Sequence, residues 1–268
     1  MKLNLNFSLI LIITVLMLNN ISCTFIKNLM QKKTNRRAAN KNKDFTPEDK
    51  KIIIETHNEL RNQIATQTNK IGPKLPFATN IVQAYYSMDL HEKAQKWADG
   101  KKFMHSSSSY RKQPDFHCGE NLYMSMSSGS VPKKDWKKAI MAWWGEIKDM
   151  GGKSVDSFAS GGPVTGHFTQ LIWAHSYIIG CGYVMFTKGG WDTQIHVCQY
   201  GMVGNIMGMP IYTKSPGGKK ECKCTGSLVC ENSDYPGLCC EKSKCKKSII
   251  DWSGKPYAGT NPKMNFVR

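Results

Sequence analysis

The sequence predicts an α+β domain with a small disulfide-rich C-terminal tail. Three features predict it: amphipathic helical stretches dominate the first half of the ordered region, short strand candidates flank a Gly-Gly turn in the second, and six cysteines crowd the residues after 213. The 268 residues suffice for one sizeable core and not two.

Residues 1–22 carry one lysine, an apolar run over 9–18, then Asn19, Asn20 and Ser22, the three-part layout of a secretory signal peptide. The run is shorter than the ~20 residues of a membrane-spanning helix, and no later stretch is long and apolar enough. The expected protein is therefore secreted, extracellular and without a transmembrane segment, and ten cysteines suit that oxidising destination. Residues 23–45 are polar and basic, with no acid before Asp44, and read as a disordered arm.

Order begins at 46. Thr46 is a good N-cap, Pro47 suits the first helical position, and Asp49 stands where a capping box needs its acid. Ile53, His57, Leu60 and Ile64 then form one buried stripe, which makes His57 a hydrogen-bonded core histidine rather than a ligand. A second helix is predicted from about 80 to 98 and a third from about 135 to 150, the latter with Trp136, Ile140, Trp143, Trp144 and Ile147 on one face. Strand candidates follow at 121–125, 169–174, 178–186 and 193–201, the last two joined through Gly189-Gly190. These elements make one domain over 46–213.

The tail, 214–268, has little apolar content and six cysteines, Cys222, Cys224, Cys230, Cys239, Cys240 and Cys245. A segment without a core of its own needs staples, and disulfides are favoured over zinc in an oxidising compartment. The net charge of +17 points to anionic partners, whether an extracellular protein, a lipid or another anionic surface. Nucleic acid is not expected, because no basic helix reads as a groove binder.

Four ionisable residues fall at core-edge junctions: His105, Glu120, Glu146 and His167. Buried carboxylates need cations, donors or metals opposite them, and two imidazoles with two carboxylates suit a divalent cation such as zinc. Their separations of 15, 26 and 21 residues match no local metal motif, so spacing alone leaves four unrelated polar groups as the default.

The segments "HNELR" (57–61), "HCGENLYMS" (117–125), "GHFTQLIWA" (166–174) and "VCQYGMVGN" (197–205), in this order, resemble the CAP superfamily of cysteine-rich secretory proteins, venom antigen 5 and plant pathogenesis-related proteins. The resemblance implies a three-layer α-β-α sandwich with a central antiparallel sheet, and a cleft that gathers His105, Glu120, Glu146 and His167 around zinc or a similar cation. It also implies a Cys181–Cys198 bridge between neighbouring strands. The family's partner for Cys118 is replaced here by Gly201; Cys23 can take its place if the signal peptide is cut after Ser22, whereas cleavage one residue later or at Arg36-Arg37 leaves Cys118 single or paired with the tail or a second chain.

The function expected is that of a secreted, non-enzymatic, venom allergen-like binding protein. The alternatives are a lipid or sterol carrier, an ion-channel modulator, and a weak hydrolase or protease using Ser106 or Thr169. No G-x-S-x-G elbow is present, and the helix at His91 lacks the second histidine of a zinc protease.

Overall fold

Thr46 starts the first helix as a capping box: its hydroxyl accepts the Asp49 N–H at 3.1 Å while its own N–H donates to the Asp49 carboxylate at 2.8 Å. The computed structural model describes residues 45–252 except 130 and 152; the expected signal peptide, nearly all of the basic arm, the end of the tail and any Cys23–Cys118 bridge lie outside the described residues. Helix α1 (Pro47–Thr66) buries Ile53, His57, Leu60 and Ile64. His57 is a core histidine: Nδ1 lies 2.7 Å from the Ile53 carbonyl, an acceptor only, so Nδ1 carries the proton and Nε2 accepts the Tyr200 hydroxyl at 3.0 Å. Burial lowers its pKa to about 4.

The expected second helix begins later than residue 80. Residues 80–84 run extended into strand β1 (Tyr85–Tyr86), and helix α2 (Met88–Asp99) starts only after Ser87, whose hydroxyl accepts the Leu90 N–H. Long-range partners hold 80–85 open: the N–H groups of Val82, Gln83 and Tyr85 donate to the carbonyls of Ala174, Cys239 and Tyr177. After α3 (Ser108–Arg111) and β2 (Cys118–Ser127), helix α4 (Trp136–Gly145) continues as a 3-10 turn (Glu146–Met150).

The expected strand at 169–174 is instead part of helix α5 (Gly166–Ile172). Phe168 to Ile172 are all buried, and a short apolar run hidden on every side carries no period by which helix and strand can be told apart. β3 (Ile178–Lys188) and β4 (Trp191–Gly201) form the hairpin, turned by Gly189 and Gly190 at φ 58° and 82°.

The sheet order is β1-β3-β4-β2, antiparallel through β2, β4 and β3, with the two-residue β1 added parallel to β3. Strand alternation divides its faces. Leu122, Val184, Ile195 and Val197 pack under Ala94 and Ala98 of α2, whereas Cys181, Tyr183, Cys198 and Tyr200 join the larger core with α1, α4 and α5. The result is an α-β-α sandwich. Cys181 and Cys198 are directly opposite in the β3–β4 register and are bonded.

The tail is stapled by Cys222–Cys230, Cys224–Cys239 and Cys240–Cys245 around a small ladder of β5 (Leu228–Val229) and β6 (Cys240–Glu241). It shares the body's core: Tyr235 and Leu238 join the main apolar cluster, and the Cys239 N–H donates to the Ile81 carbonyl at 2.8 Å.

Candidate functional site

Two histidine–carboxylate pairs form beside β2. Residues 101–105 leave α2 exposed, and the chain then dives so that Ser106 is buried. There His105 Nδ1 lies 3.0 Å from Glu120 Oε1, the Ser106 N–H donates to the same oxygen at 2.9 Å, and the Ser106 hydroxyl donates to Oε2 at 2.6 Å. Arg111 of α3 stands 3.7 Å away, and Gln199 on β4 donates to Oε2 at 3.3 Å. Burial pushes the Glu120 pKa up, but His105, the two Ser106 donors and the Arg111 charge outweigh it and hold the carboxyl below the ordinary carboxylate range. The Glu120 side chain is 1 % exposed and that of His105 57 %.

The second pair joins two helix ends. Glu146, at the close of α4, accepts the N–H groups of His167 and Phe168 at 2.9 and 3.1 Å, free donors of the first turn of α5. Its other oxygen lies 2.6 Å from His167 Nδ1. Trp143, one turn earlier on α4, stacks against the imidazole with ring centroids 6.4 Å apart and planes at 19°. His167 therefore opens a helix that a carboxylate caps, rather than a strand.

Asn121 connects the pairs. It follows Glu120 on β2 and donates to the His167 carbonyl at 3.0 Å and to the Tyr200 hydroxyl at 3.3 Å, which links the site to His57. The four predicted residues thus meet as two linked pairs. Among the described residues they form no group whose ligand atoms all lie within 4.8 Å; Cys222, Cys224, Cys230 and Cys239 do, and their sulfurs are bonded in pairs.

In both pairs the imidazole Nδ1 faces an acceptor-only carboxylate, so in the neutral ring the proton sits on Nδ1 and the lone pair on Nε2. Carboxylate–histidine pairs of this kind support metal-binding imidazoles, so the donor set fits a borderline cation with His105 and His167 as ligands and Glu120 and Glu146 as orienters. The arrangement does not resemble nucleophilic catalysis. The Ser106 hydroxyl is committed to a carboxylate, and the Thr169 hydroxyl donates to Asn205 Oδ1 at 2.8 Å.

Arg111 and Asn121 hold the site without having been singled out in the sequence, since each acts through partners remote in the chain, and Ser106, considered there as a hydrolase's hydroxyl, serves instead as a donor to Glu120. Cys118 is the free cysteine among the described residues, and burial raises its thiol to about 12, which keeps it unreactive. Gly201 is opposite it in the β2–β4 register, and the Phe116 ring lies 2.3 Å from where a Gly201 Cβ would stand. An aromatic ring here fills the place of the family's bridge.

The model of the cysteine-rich secretory protein family, CAP, matches residues 54–200. "CRISP/Allergen/PR-1" of Trittame loki is 36 % identical over 199 residues, covering 71 % of this chain and 48 % of the relative. "Venom allergen 5" of Tityus serrulatus is 32 % identical over 241 residues, 86 % of this chain and 54 % of the relative, so the chain spans about half the length of these two. "Scoloptoxin SSD976" of Scolopendra dehaani is 35 % identical, with 71 % of this chain and 83 % of the relative covered. Among solved structures, NaASP2 with Zn2+ is 31 % identical at a TM-score of 0.56, covering 72 % of this chain and 96 % of that one. The family model spans more than half of the chain, and the fold and the ordered motifs agree with it: this chain belongs to the cysteine-rich secretory protein (CAP) family.

Proposed function

We propose that the chain is a secreted, non-enzymatic binding protein of the venom allergen-like kind, with a cation-binding cleft formed by His105 and His167. One observation carries the reading: each imidazole has Nδ1 anchored on a glutamate, which leaves Nε2 as the nitrogen free to ligate. The bound cation would supply a fixed positive centre in the cleft, with Glu120 and Glu146 orienting the rings. The zinc in the NaASP2 structure belongs to a relative with the same fold, and it makes zinc the first cation to test here.

Export is supported by four disulfides among the described residues, since such bonds persist in oxidising compartments. No described helix is long and apolar enough to cross a membrane. The partner is an extracellular protein or an anionic surface, in keeping with the charge of +17.

Titration calorimetry with zinc tests the cleft. Wild type is expected to bind, and His105→Ala/His167→Ala to lose at least ~10-fold in affinity while keeping its fold. Affinity should also fall with falling pH, because protons compete with a metal ion for its ligands. Equal heats from both proteins would remove the cation from this reading.

A further inference from the structure

One face of the sheet is longer than the helix that covers it. Gly180 and Gly182 let α2 lie directly on β3: a Cβ at either position would stand 2.2–2.5 Å from atoms of Leu90, His91, Ala94 or Gln95. Two strand residues thus pass about one helical turn, which brings Val184 to Ala98 in the next step. The following residue on this face, Phe186, falls beyond the helix end at Asp99. A 12-residue helix is about 18 Å long and an 11-residue strand about 36 Å, so among the described residues no helix covers the outer part of this face.

The apolar alternation nevertheless continues past the cover. Met124 and Met126 pair with Ile195 and Thr193, and Phe186 pairs with Thr193 from the other side. Trp191, opposite Lys188 at the hairpin tip, falls on the same face. Met126 is 51 % exposed, Phe103 50 % and Trp191 45 %. Together Phe103, Met124, Met126 and Phe186 line a groove of about 400 Å³.

The charge lining this groove has one sign. Lys101 and Lys188 are the charged residues that line it, the neighbouring Asp192 being bonded to Thr187, and the Lys101 ammonium stands 5.8 Å from the centre of the Phe186 ring. A tryptophan and flexible methionines bordered by lysines match the headgroup region of a bilayer: indole and thioether enter the apolar boundary, long alkyl stems follow, and ammonium groups meet phosphates. A net charge of +17 adds long-range attraction to an anionic membrane.

We propose that this uncovered end of the sheet docks on the surface of anionic phospholipid bilayers, with Trp191, Met126 and Phe103 entering the interface and Lys101 and Lys188 held at the headgroups. The docking is peripheral and independent of the cation-binding reading.

Flotation of the full chain with phosphatidylcholine vesicles, and with vesicles of phosphatidylcholine and phosphatidylserine, tests it. Wild type should float with the anionic vesicles and stay behind with the neutral ones. Neutralising Lys101 or Lys188 to alanine should weaken binding roughly fivefold each, the equivalent of about 1 kcal/mol per lysine. Trp191→Ala/Met126→Ala should weaken it about tenfold. Thermal melts verify that these surface variants fold. A second readout needs no disruptive variant: brominated anionic lipid should quench a component of the wild-type tryptophan fluorescence that Trp191→Phe lacks.

Lys219→Glu/Lys220→Glu, an equal change of charge in the tail, should cost much less than Lys101→Glu/Lys188→Glu. His105→Ala/His167→Ala should float like wild type, which separates this result from the fate of the cation site. The proposal is overturned if wild type ignores anionic vesicles or if the tail substitutions weaken binding as much as those at the groove. It is also overturned if sedimentation velocity shows the patch variants dissolving a dimer rather than releasing lipid.

Discussion

Arg61 and Glu120 are both charged side chains in the interior, yet they are held in opposite ways. Arg61 is 0 % exposed and gives its guanidinium hydrogen atoms to main-chain carbonyls: those of Val82, Leu171, Trp173 and Ala174, at 2.8 to 3.0 Å. Among the described residues no carboxylate neutralises it, and burial lowers its pKa to about 9, still charged at neutral pH. Glu120 faces an exposed imidazole, a hydroxyl and an arginine. The first charge is locked by backbone and ties α1 to two distant segments. The second is balanced by side chains, one of which reaches solvent and can exchange its partner. A buried charge held by backbone is a structural clamp; one held by a half-free histidine is suited to a binding site.

The sharpest test of this contrast is Arg61→Met. It keeps the volume of the stem but removes donors from four carbonyls, and an unsatisfied buried group costs about 1–3 kcal/mol. We expect a loss on the order of 4 kcal/mol in urea unfolding, with zinc affinity unchanged in whatever fraction folds. Arg61→Lys should restore little, because an ammonium cannot span the same fork. A loss of zinc affinity at preserved stability would reverse the roles assigned to the two charges.

Acid is expected to act on the buried histidines before it acts on Glu120. His57 and His175 have pKa values lowered to about 4, and His196 to about 3, all by desolvation first. The unfolded chain binds protons below about 6.5 that the folded chain refuses, so stability falls as pH drops from 6.5 toward 4. Each histidine contributes a slope of up to about 1.4 kcal/mol per pH unit. The Glu120 contribution has the depressed carboxylate sign: present above the ordinary carboxylate range and lost only as pH falls through its lower folded value. His196, whose ring nitrogens have no hydrogen-bond partner among the described residues, offers the cleanest control. His196→Phe should remove about a quarter to a third of the slope between pH 6.5 and 4, since burial also lowers the His91 pKa, read by urea titrations across that range.

The sequence makes the capping box at Thr46, the stripe of α1 and the β3–β4 hairpin readable because each is local: a cap, a period, a turn. It misleads where partners are remote. The 80–87 segment has helical composition but is drawn out by carbonyls of Ala174, Tyr177 and Cys239, and the 169–174 run lacks a polar face to reveal its helical period. The same division holds at the site. His105, Glu120, Glu146 and His167 stand out as polar residues at core edges, and resemblance names them. Asn121, which connects the two pairs, looks like any strand asparagine until Tyr200 and His167 are seen beside it. Arg61 is hidden for a related reason: its partners are carbonyls, which every residue supplies.

The smallest expected stability effect, and the finest test of the contrast, belongs to Glu120→Gln. The amide keeps the shape and one acceptor oxygen but presents hydrogen atoms where His105, Ser106 and Arg111 also donate. At the Oε2 position the new amide meets the Ser106 hydroxyl and the Gln199 amide, each of which can turn to accept instead. The loss should therefore be about 1–2 kcal/mol, well below that of Arg61→Met. Zinc affinity should respond far more strongly, by roughly 10–100-fold, because the His105 proton is no longer held on Nδ1 by a charged acceptor and the ring is free to present either nitrogen. Calorimetry and urea unfolding on the same preparation separate the two responses. A glutamine variant that loses several kcal/mol while binding zinc as wild type does would place Glu120 with Arg61 among the clamps, and the half-free histidine beside it would lose its functional meaning.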